Sequence, residues 1–161
     1  MTSIQPLLML LESAERARDE AIVEMEGARK SHEAARQQAQ SLADWRKDYQ
    51  QRWNTQFSQS GGMEIMRCYQ EFSARLGNAV DEQDKRVEQA RVFLDRCRVH
   101  LLERERKAAA VGQLIDRRQR ELALRQQRQE QKATDEQASR AGRGSAQAGM
   151  LGAPTFVPTS Y

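Results

Sequence analysis

Ser58-Gln59-Ser60-Gly61-Gly62 sets five consecutive residues that cap, turn or break a helix into a chain that otherwise avoids them. Upstream, a helix is expected over about 4–57, with Pro6 at its start and Gly27 as its one glycine. Downstream, a second is expected over about 63–138, free of Pro and interrupted only by Gly77 and Gly112. The connection at 58–62 is short, so the two helices must return side by side and antiparallel.

Both segments carry the same period. Alternating steps of four and three from Leu7 give Leu11, Ala14, Arg18, Ala21, Met25, Ala28, His32, Ala35, Ala39, Leu42, Arg46, Tyr49, Trp53 and Gln56, eleven of fifteen apolar. From Met66 the series runs through Tyr69, Ser73, Leu76, Val80, Gln83, Val87, Ala90, Leu94, Cys97, Leu101, Arg104, Ala108, Val111, Ile115, Arg118 and Leu122, thirteen of seventeen apolar. A 3.5-residue repeat sustained this long is a coiled-coil seam. The expected fold is all-α: a long antiparallel two-helix coiled-coil hairpin over 1–140, followed by a disordered Gly/Ala/Pro-containing tail over 141–161. Its register sets Tyr49 against Tyr69, Leu42 against Leu76 and Trp53 against Met66, with the second helix overhanging the first at the end away from the turn.

Composition agrees. Charged residues make up 30% of the 161, aromatics 6%, and mean hydropathy is −0.86, too polar for a layered globular core. The net charge of +3 is modest, though 21 of the 26 basic residues are Arg. Leu7–Leu11 is too short for a signal peptide and no stretch approaches a membrane span, so a cytosolic or peripheral location is expected. Cys68 and Cys97 on one helix would lie about 43 Å apart at 1.5 Å per residue, beyond any disulfide.

Two features exceed what a seam needs. With Leu42, Tyr49, Tyr69, Leu76 and Gln83 at d positions of the heptad, Gln38, Trp45, Phe72 and Ala79 all fall at g, and the g positions of both helices share one flank. Trp45 is expected near Phe72 there, as a partner-docking face or as extra packing. At the other end Arg104, Arg106, Lys107, Arg117, Arg118, Arg120, Arg125 and Arg128 outnumber Glu103, Glu105, Asp116 and Glu121, suiting a solvated face, an acidic pore or a phosphate backbone. No phosphate-binding loop, His-Glu-x-x-His or Cys-x-x-Cys is present, and His32 and His100 lack companions at ligand spacing. No catalysis, cofactor, metal or small-molecule substrate is expected.

Leu42-Ala43-Asp44-Trp45-Arg46-Lys47-Asp48-Tyr49, the Gly-Gly turn, and Tyr69-Gln70-Glu71-Phe72-Ser73-Ala74-Arg75-Leu76-Gly77-Asn78-Ala79-Val80-Asp81-Glu82-Gln83 together resemble the FliJ family of flagellar export stalk proteins. The likeness covers roughly 5–140. It implies a non-catalytic coiled-coil stalk of type III protein export at the flagellar base, on the cytoplasmic face of the inner membrane. The expected partners are the hexameric export ATPase, the integral-membrane export gate and export chaperones. Family gate contacts fall on Gln38, Leu42, Trp45, Tyr49, Phe72, Leu76, Ala79 and Gln83. Trp45 stands where Tyr is common, and Gln83 where a more basic residue can occur. Arg117, Arg118 and Arg120 are candidate contacts in the ATPase pore. The equivalent stalk of a virulence injectisome, a basic nucleic-acid-binding coiled coil and a homodimerising scaffold are the alternatives.

Overall fold

A computed structural model describes residues 4–56 and 62–148. Helix α1 spans Gln5–Gln56 and helix α2 spans Met63–Ala148, 52 and 86 residues. Of the described residues only Ile4 and Gly62 lie outside them. Pro6 sits in the first turn of α1, where a missing N–H costs no helical bond. Of the expected turn only Gly62 is described; its carbonyl accepts the first bond of α2 from the Met66 N–H at 3.3 Å.

Helix α2 runs ten residues past the expected end at 138. Gly142 and Gly144 tax a helix by about 1 kcal/mol each but do not block it, and the first residue that does is Pro154. The rest of the expected tail, 149–161, is outside the described residues.

The chain divides into two units, Gln5–Gly112 and Met1–Ile4 with Gln113–Tyr161. Within the first, Tyr49 stacks on Tyr69, and the Gln83 side-chain amide donates to the Ala35 carbonyl at 3.0 Å. Going back fourteen residues along α1 thus means advancing fourteen along α2, which is an antiparallel pairing. Carried on at that rate, it brings Leu7 level with Val111 at the end of the unit.

Every buried residue belongs to the heptad series. On α1 these are Ala14, Ala21 and Ala28; on α2 they are Leu76, Val80, Gln83, Leu94, Cys97, Ala108 and Val111, with Ile115 in the second unit. Ala28, Leu94 and Cys97 cluster, with Met25 packed against them. Burying one leucine such as Leu94 contributes roughly 1.5–3 kcal/mol. Arg46, Gln56, Met66 and Leu122 sit on the series and are nevertheless exposed.

The ion pairs among the described residues all join neighbours on one helix. Charge therefore solvates the surface and leaves register to the shapes in the seam and to Gln83.

Candidate partner-docking surface

Toward the turn, four rings form a continuous ladder. Trp53 stacks on Tyr69 with centroids 4.0 Å apart and planes 11° from parallel. Tyr69 stacks on Tyr49 at 5.5 Å, and Tyr49 meets Phe72 at 4.4 Å in a tilted pair. The expected pairing of Trp45 with Phe72 is therefore corrected: among the described residues Phe72 meets the Tyr49 ring and no ring contact joins it to Trp45. Helical side chains lean toward their own N-terminus. On α1 that direction is away from the turn, and on α2 it is toward it. Trp53 and Tyr69 lean into one another, as do Tyr49 and Phe72, whereas Trp45 and Phe72 lean apart.

The expected gate-contact residues consequently lie at three depths. Gln38, Trp45, Phe72 and Ala79 are at the surface, Trp45 61% and Phe72 37% exposed. Leu42 and Tyr49 are half-buried, and Leu76 and Gln83 lie underneath, between the helices. Phe72 is both packing and surface; Trp45 is surface alone. Beneath this flank the Ser73 hydroxyl is buried with no hydrogen-bond partner.

Beside the ladder opens an apolar groove of about 550 Å³, walled by Tyr49, Trp53, Ile65, Cys68, Tyr69 and Phe72, with Arg52 the one charged residue lining it among the described residues. The sequence reading missed Ile65 and Arg52, although carrying the g positions one heptad toward the turn from Phe72 and Trp45 finds both. It also missed Val92, Phe93 and Val99, a second exposed apolar strip on α2. Phe93 stands at g, three heptads beyond Phe72, so the same step finds it too; Val92 and Val99 stand at f, which nothing in the seam pattern marks.

In the second unit Arg117 and Arg120 are exposed, whereas Arg118 is half-buried and pairs with Glu121 at 3.6 Å. The three do not form one surface. Arg91 grips both oxygens of Glu88, at 2.6 and 3.0 Å. That hydrogen bonding, with smaller contributions from the charges of Arg91 and His32, holds the Glu88 carboxyl below its ordinary value and Arg91 above its own. Cys68 is exposed; burial, aided by nearby Glu24, pushes the Cys97 thiol up. Among the described residues no three His, Cys, Asp or Glu could hold a metal ion together, and no helix is long and apolar enough to cross a membrane.

A family model described as the flagellar FliJ protein matches residues 3–147. No curated protein matches the chain, and neither does any solved structure.

Proposed function

The chain belongs to the FliJ family of flagellar export proteins, and from that premise we propose that it is the non-catalytic stalk between the hexameric export ATPase and the membrane export gate. It is a flagellar export-related coiled-coil protein; the assignment of partners to its surfaces is our reading. The flank near the turn meets the gate through Gln38, Leu42, Trp45, Tyr49, Phe72 and Ala79, held from beneath by Leu76 and Gln83. The basic end meets the ATPase, export chaperones bind along the rod, and the protein works on the cytoplasmic face of the inner membrane at the flagellar base.

The observation that carries this reading is the exposure of Trp45 on the flank where the helix pair already presents Phe72. A large aromatic left in water stabilises no hairpin. Buried in a partner's recess, it becomes the kind of anchor whose truncation costs about 2 kcal/mol or more. A two-helix pair also offers no enclosed, water-excluding site in which a carboxylate or histidine could be tuned for chemistry.

The test is the Trp45→Ala/Phe72→Ala double variant in a motile strain. It should lose co-purification with the integral-membrane gate and lose motility, while keeping its helicity and its association with the ATPase. A variant that melts far earlier yet still captures the gate would make these rings packing and end this reading of the flank.

A further inference from the structure

Up to Gly112 the chain carries eighteen Lys and Arg against eighteen Asp and Glu; from Gln113 to Gly144 it carries eight against five. The entire net charge of +3 therefore lies on the last part of α2. Its distribution around the helix is uneven. At 3.6 residues per turn Gln113, Arg117, Arg120, Leu124 and Arg128 share an arc of about 80°. Asp116, Glu121 and Glu130 fall outside it, and no acid enters it before Asp135.

All five residues on this arc are exposed, and Leu124 at its centre is 53% so. Arg117, Arg120 and Arg128 form no ion pair among the described residues, in contrast to Arg118 with Glu121. Arg118 points about 120° away from the middle of the arc. Three unneutralised guanidinium groups around a leucine repel one another and leave apolar surface in water. A surface bearing carboxylates around an apolar recess relieves both, and charge complementarity of this kind steers encounter and fixes orientation.

We propose that this face, Arg117, Arg120, Leu124 and Arg128, docks an acidic protein surface that takes Leu124 into an apolar recess. The proposal rests on the stalk reading only for the partner's identity. It removes Arg118 from the contact and adds Leu124 and Arg128. Nucleic acid is the weaker occupant: phosphates offer a leucine nothing, and no aromatic residue lies between Arg104 and Ala148 to stack on bases.

A photo-cross-linking phenylalanine analogue, placed in the full chain at position 124 or at position 118 in motile cells, tests this. Adducts are identified by mass spectrometry. Position 124 should give an adduct on a carboxylate-rich peptide, and position 118 little or none. The triple variant Arg117→Gln/Arg120→Gln/Arg128→Gln should cut the 124 adduct at least tenfold with helicity unchanged. A peptide from the export ATPase supports both the docking face and the stalk reading. A carboxylate-rich peptide from another protein supports the face and defeats the ATPase contact. Equal or stronger adducts at 118, peptides lacking carboxylates, adducts to nucleic acid, or no adduct at either position overturn the proposal.

Discussion

The two halves of the Gln5–Gly112 unit solve helix pairing in opposite ways. Around Ala14, Ala21 and Ala28 the fully buried residues of the first helix are all alanines, and Leu94 and Cys97 close down to a few per cent exposure. Nearer the turn the facing residues are Tyr49, Trp53, Tyr69 and Phe72, and none of the four is buried. Small residues let backbones approach until one layer of side chains fills the gap. Rings stacked face to face cannot be covered by two helices, so they leave a groove and a ladder with an open side. The alanine stretch is where the pair is held, and the aromatic stretch is where it has surface left to offer.

Breaking the alanine stretch should have the largest effect. Leu94→Ala removes the largest side chain of the Ala28, Leu94 and Cys97 cluster and should cost about 2–3 kcal/mol in thermal or urea unfolding. In the native chain a thiol reagent should modify Cys68 at once and Cys97 slowly, because Cys97 is buried and its thiolate disfavoured. Leu94→Ala should accelerate the second reaction. Equal rates for both thiols in the unaltered chain would contradict the contrast.

A subtler effect separates the two flank rings. Phe72→Ala loses the Tyr49 contact and should cost about 1 kcal/mol, within the range of an aromatic pair. Trp45→Ala should leave the melting curve within ~0.5 kcal/mol, as exposed substitutions usually do. Matching losses would mean that Trp45 is packed after all.

Gln83 tests what fixes register. Gln83→Ala forfeits the bond to the Ala35 carbonyl and should cost about 1 kcal/mol. Gln83→Leu should match or exceed the original stability, since that carbonyl keeps its place in its own helix. The leucine variant should nevertheless show slipped pairings by disulfide trapping between engineered cysteines, as polar seam residues specify alignment at some cost in stability. A leucine variant with one clean register would assign that task to the rings.

The smallest effects should be gains. A methyl group at Gly77 would meet nothing within 4 Å, so Gly77→Ala should add about 0.5–1 kcal/mol through helix propensity. Ser73→Ala should add a similar amount, about 0.5–1 kcal/mol, by removing an unpaired buried hydroxyl. Loss of gate capture in either variant, with stability raised, would show that the flank depends on looseness there.

The seam was legible residue by residue: among the described residues the period marked every position that proved buried, apolar but for Gln83, and a short breaker cluster implied the antiparallel return. The far end of α2 was not, because Gly142 and Gly144 weaken a helix without stopping it. Arg117, Arg118 and Arg120 were grouped as one contact although Arg118 alone stands on the heptad series, and a single residue step rotates a helical side chain by 100°. Arg118 joins the seam side and finds Glu121, while its neighbours face water.

The amino-acid order by itself determined the helices, their pairing, the identity of the seam and the family, since each depends on a period that repeats along one dimension. Beyond the Tyr49–Tyr69 pairing that the register sets, only the tertiary structure decided which rings touch, how deep each flank residue lies and where the groove opens. Those follow from the direction in which side chains lean on antiparallel helices. That direction turns Trp53 toward Tyr69 and Phe72 toward Tyr49, and leaves Trp45 in the solvent.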